Sequence, residues 1–115
     1  MDTTTFLSLL RQAVQVVFPQ ANLRVSIIRT TRLKARIELS KTEYVDVFFR
    51  EETRRVDYAL IVAGARIFGL DNLKEWHCHP LDDPNQHIPC PEPTPDEALE
   101  QIRQALQTTK GNASS

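Results

Sequence analysis

From Leu23 to Leu70 apolar residues alternate with polar ones, and this period-two pattern restricts what the chain can build more than any other feature. Leu23, Val25 and Ile27 face away from their polar neighbours, as do Leu33, Ala35, Ile37 and Leu39 from Arg32, Lys34, Arg36 and Glu38. Such strands have one dry and one wet face. Tyr44, Asp46 and Phe48 stand opposite Val45, Val47 and Phe49, and a further strand over 56–63 sets Tyr58, Leu60 and Val62 against Ala59, Ile61 and Ala63. Gly64 turns the chain into a last strand over 65–70, which makes an antiparallel meander with short connections.

The dry face needs a cover, and each end of the chain supplies an amphipathic helix. Thr3 to Thr5 offer N-caps, and Phe6, Leu9, Leu10, Ala13, Val14, Val17 and Phe18 recur at helical spacing until Pro19. Thr94-Pro95-Asp96-Glu97 has the form of a capping box, followed by a stripe of Ala98, Leu99, Ile102, Ala105 and Leu106. The expected fold is therefore α+β: an N-terminal helix, a four- or five-stranded antiparallel meander, a histidine- and proline-rich loop and a C-terminal helix. Its 115 residues suit one domain over 1–109, with 110–115 read as a flexible tail.

Net charge is -1, but residues 1–80 are mildly basic and residues 81–115 acidic. Arg24, Arg29, Arg32, Lys34 and Arg36 form a run without an acid; it attracts phosphate or simply keeps a wet strand face soluble. No apolar run approaches the roughly 18 residues of a membrane span. The start lacks a signal peptide's basic and apolar regions, so a cytoplasmic location is expected.

All three histidines and both cysteines lie in the segment from His77 to Cys90. Prolines at 80, 84, 89, 91, 93 and 95 argue against regular structure there, and a long irregular segment in a small domain is more often functional than incidental. In an extended backbone His77 and His79 share one side and Cys78 takes the other. Three chemistries remain open. In metal-free RNA cleavage, His77, His79 and His87 act as acid and base, Asp71 orients an imidazole and Arg66 steadies the phosphate. In a zinc site, His77, His79, His87 and Cys90 are ligands, with Cys78 or Asp71 as substitutes, although the spacing matches no common closed site. In the third reading the histidines decorate a surface loop and the cysteines fill space. Arg54 and Arg55 extend the positive surface, Tyr58 is a candidate for base stacking, and Asn72 is assigned to turn structure.

The order Tyr58, then Ala65-Arg-Ile-Phe-Gly-Leu-Asp-Asn72, then the histidines, then Pro91-Glu-Pro-Thr-Pro-Asp-Glu-Ala-Leu-Glu-Gln-Ile102 resembles the small prokaryotic toxin family typified by TumE, broadly similar to RelE-like toxins. The likeness covers roughly residues 56 to 105. It implies a helix-plus-sheet fold and an endoribonuclease that inhibits translation on RNA or ribosome-associated RNA. It also implies a helix-turn-helix antitoxin as partner. Gly69-Leu70 and His-Cys-His depart from the family pattern, which expects an Arg-Tyr-like pair and adjacent histidines. The expectation drawn from residues and resemblance together is an RNA-directed toxin-like protein with no cofactor and no membrane contact, a homodimer being left open. A noncatalytic binding component and a zinc-dependent hydrolase are the alternatives.

Overall fold

The computed structural model describes residues 1–80, 83 and 85–113. Helix α1 (Thr3–Val17) is followed by strands β1 (Asn22–Arg29), β2 (Arg32–Glu38), β3 (Glu43–Arg50), β4 (Arg55–Val62), β5 (Ala65–Asp71), β6 (His77–His79) and β7 (Ile88–Pro89), and then by helix α2 (Pro95–Ala113). The strands form one antiparallel sheet in sequence order. The α+β plan matches the alternation, but the sheet has seven strands rather than four or five. The two additional strands lie inside the segment expected to be irregular. They are too short to carry a periodicity of their own: β6 forms on the edge that β5 offers, and β7 on the edge of β6.

Both helices cover the same face of the sheet. Phe6, Leu10, Ala13 and Val14 of α1 join Ala98, Leu99, Ile102, Ala105 and Leu106 of α2 over Leu33, Ile37, Val45, Val47, Phe49, Leu60 and Leu70. Phe6 stacks on Phe49 with ring centroids 4.5 Å apart. The opposite face carries no helix, and Arg24, Ser26, Lys34 and Arg36 are exposed there.

Local chemistry sets the boundaries. Asp2, rather than one of the threonines, caps α1: its carboxylate accepts the Thr5 amide at 2.8 Å, and Thr3 is buried with its hydroxyl donating to Glu51. The capping box of α2 forms as the sequence predicts, with the Thr94 amide donating to Glu97 at 2.9 Å and the Glu97 amide to the Thr94 hydroxyl at 3.3 Å. The helix continues through Ala113, past the Thr109 end expected from the sequence; residues 114 and 115 lie outside the described residues. Ala63 and Gly64 take φ of 51° and 83° in the β4–β5 turn, the two positive values that a tight hairpin turn requires.

Candidate metal centre

The site follows from pleat and register. In β6, His77 and His79 point to the helix-free face while Cys78 points to the core. Antiparallel pairing sets Asp71 of β5 opposite His77 and Gly69 opposite His79. One carboxylate thus meets both rings: Asp71 Oδ2 is 2.9 Å from His79 Nε2, and Oδ1 is 3.1 Å from His77 Nε2. All three side chains are buried. His87, just before β7, is exposed, and its ring centroid lies 4.6 Å from that of His77 and 4.5 Å from that of His79. One ring nitrogen from each histidine falls within 4.8 Å of the others.

Asp71 is fixed from a further side, since Oδ1 also accepts the Leu73 amide at 3.0 Å. Burial alone would push this carboxyl up, but the Leu73 amide, the hydrogen bond to His79 and the charges of both histidines hold it net below the usual carboxylate range. Next to it, the Asn72 side chain accepts the Val56 amide at 2.8 Å and donates to the Arg54 carbonyl at 2.7 Å. Asn72 therefore clamps the end of β5 to the start of β4, the structural task the sequence assigned to it.

His77 Nδ1 lies 2.9 Å from the Glu75 carbonyl oxygen. A carbonyl can only accept, so Nδ1 donates, and a neutral His77 then turns the lone pair of Nε2 toward Asp71 Oδ1. Two acceptors at 3.1 Å call for a positive species at that spot: a proton, giving imidazolium, or a cation shared with the neighbouring groups. His79 Nε2 lies 2.9 Å from Asp71 Oδ2, and because a carboxylate accepts, Nε2 donates. Imidazole nitrogens backed by a carboxylate and a carbonyl fit a borderline divalent ion such as zinc.

Other residues singled out from the sequence are distributed differently. Arg66 is on the same face as the histidines: a Cβ built on Gly69 would meet His79 Cδ2 at 3.6 Å and Arg66 Cδ at 3.8 Å, so both side chains pack over this glycine. Arg55 is ion-paired with Asp57 at 3.4 Å. Arg54 lies in the β3–β4 turn and lines a helix-side cavity with Phe6, Phe49 and Trp76, so it does not extend the histidine surface. Tyr58 is 1% exposed, in the core, and burial pushes its phenol up; it cannot stack on a base. Cys90 is excluded from the ligand set. Its amide donates to the Trp76 carbonyl, and it packs on the core side against Cys78, whose thiol burial and the neighbouring Cys90 push up to about 12.

Sequence reasoning did not single out Gly69, the Glu75 carbonyl, Phe48 or Asp57. In the sequence Phe48 stands out only as sharing one side of its strand with Tyr44 and Asp46, and the Glu75 carbonyl carries no sequence signal. No helix among the described residues is long and apolar enough to cross a membrane. The chain matches no family model, no curated protein and no solved structure.

Proposed function

We propose that the chain is a divalent-metal hydrolase, with zinc as the ion, and that its substrate is a phosphodiester of RNA in the cytoplasm. The observation that carries this reading is the gathering of one ring nitrogen each from His77, His79 and His87 within 4.8 Å, with the Asp71 carboxylate against His77 and His79. A divalent ion held by these residues would supply Lewis acidity for activating water and polarising a phosphoryl oxygen. The protein's own part is positional. Asp71 and the Glu75 carbonyl fix the two buried rings, exposed His87 would complete the donor set from solvent, and Arg66, whose Cδ packs over Gly69 with the His79 ring, would add positive charge for the phosphate.

Metal-free RNA cleavage is the second reading, favoured by the Asp71–His79 pair, which resembles an oriented base. In-line transfer, however, puts the attacking and leaving oxygens on opposite sides of phosphorus, so base and acid should flank the phosphate. Nitrogens gathered within 4.8 Å are too close together to flank a phosphate in that way. An antitoxin-like partner protein belongs to either reading.

Purified full-length protein should bind one zinc per chain in a chelator competition and lose it in the His77→Gln/His79→Gln double variant. It should cleave RNA in a manner abolished by chelation and restored by zinc. Absence of zinc binding, together with RNA cleavage that chelators leave untouched, would overturn the metal reading in favour of the metal-free one.

A further inference from the structure

The register aligns side chains in a row across the helix-free face. Ser26, Lys34, Phe48, Asp57, Asp71 and His77 are successive Cα partners on β1 to β6. In the adjacent row Ala59 and Gly69 are partners, leading to His79 with little or no side chain above the sheet. A groove of about 470 Å³ lies across these two rows, lined by Lys34, Phe48 and Asp57 from the first and by Arg36, Asp46 and Ala59 from the second. Its size is within the range of pockets that accept small ligands or single units of a polymer.

Phe48 is half-buried on this face and takes no part in the core. Its cross-strand neighbours are Lys34 on one side and Asp57 on the other. Much of the surrounding charge is already committed. Arg36 donates to both oxygens of Asp46, at 2.9 and 3.3 Å, and Arg24 pairs with Glu38 at 3.4 Å. Lys34 has no ion pair among the described residues, so its ammonium is the groove's cation for a ligand. Asp57 Oδ2 is ion-paired with Arg55 at 3.4 Å, as Glu38 is with Arg24, and its carboxylate lines the groove wall, where the donors of a ligand would share it with Arg55.

We infer that Lys34, Phe48 and Asp57 form a nucleotide subsite, which takes one guanine-bearing unit of a single-stranded nucleic acid whose scissile bond lies at the histidine centre. The inference rests on the phosphodiester reading of that centre. Cation, ring and carboxylate match phosphate, base plane and base edge in order. The base stacks on Phe48, its phosphate meets Lys34, and Asp57 accepts from the edge. Guanine suits a carboxylate because N1–H and the N2 amino group lie side by side. Uracil has a single N–H flanked by two carbonyls, which the carboxylate repels. Three strand spacings, about 14 Å, separate Phe48 from His77. The stacked base is therefore remote from the reacting bond and governs where the strand is cut.

The test is binding, with chelator present to stop metal-dependent hydrolysis, of labelled, 2′-O-methylated uridine oligonucleotides, which also cannot be cut through the 2′-oxygen, with or without one central guanosine. The full-length chain should bind the guanosine oligonucleotide several-fold more tightly than the all-uridine one. Phe48→Leu should weaken that binding about tenfold, whereas Phe48→Trp retains it. Asp57→Asn should remove the preference for guanosine. Lys34→Gln should lower the salt slope of log K by about 0.7. Equal binding of both oligonucleotides by the unaltered protein overturns the subsite, as does normal binding by a folded Phe48→Leu protein. If Phe48→Leu fails to fold, the decision passes to Asp57→Asn: a guanosine preference that survives it overturns the assignment. Zinc-dependent cleavage without base preference removes the subsite and leaves the centre. Base preference without zinc binding removes the centre and leaves the subsite as a binding site.

Discussion

Asp71 joins β5 to both buried histidines, and substituting it separates orientation from ligation. Asp71→Asn keeps the size of the side chain and an oxygen for the Leu73 amide, but loses the charge that faces two imidazoles. Carboxylates in this position behind a metal-binding histidine typically contribute 10–100-fold to metal affinity. A chelator competition should show zinc bound about 10–100-fold more weakly by Asp71→Asn, with one equivalent still taken up at saturation; unchanged affinity would mean that Asp71 does not orient the ligands. Asp57 offers a test on the opposing strand. Burial first, and the charge of Asp71 second, push its carboxyl up against the pull of Arg55 and Arg66. A carboxyl raised on folding is penalised when ionised, so the cost is present above its folded pKa and disappears once pH falls below the unfolded value. Asp57→Asn should therefore raise the thermal midpoint at pH 7 and have no such effect near pH 3. A lower midpoint at pH 7 would show that the contact with Arg55 outweighs burial.

At the scale of elements, what could be read in advance depended on how many residues carried the signal. Strands β2 and β3 alternate over seven and eight residues, enough to identify both faces. β6 has three residues and β7 two, so their formation depends on an edge presented by a distant segment. The placement of His77 and His79 on one side was nevertheless legible, because it needs only a locally extended backbone. Their meeting with Asp71 was foreseen as residue chemistry, whereas the register that brings it about was not. Cys90 stays open between zinc ligand and space filler in the sequence for the same reason: β7, two residues long, leaves no signal there that Cys90 packs toward the core with Cys78. Tyr58 was grouped with Leu60 and Val62 by alternation, and it is the burial of that whole side under the helices that removes it from substrate. The start of α2 was fully legible because a capping box is a contact within four residues. Thr94→Ala deletes the hydroxyl that accepts the Glu97 amide and should cost about 1 kcal/mol, read as a lower urea midpoint with an unchanged slope.

For the molecule as a whole, the sheet separates two tasks: helices and core lie on one face, and the proposed chemistry lies on the other. This division predicts that stability and ion binding can be altered independently. Leu99 of α2 is fully buried in the core, and Leu99→Ala should destabilise the fold by about 2–5 kcal/mol through lost contacts and a cavity. The histidine centre is built from β5, β6 and the residue just before β7, so the same variant should still bind zinc with ordinary affinity below its melting temperature. An ion that binds only the folded chain adds stability by mass action, about 2.7 kcal/mol when its free concentration is a hundredfold above Kd. Zinc should therefore raise the thermal midpoint of both the unaltered protein and Leu99→Ala, and should leave that of His77→Gln/His79→Gln unmoved. Loss of the zinc response in Leu99→Ala would mean that the two faces are coupled, with the histidine geometry dependent on the packing of α2. Retention of the response in the double histidine variant would place the ion elsewhere on the chain.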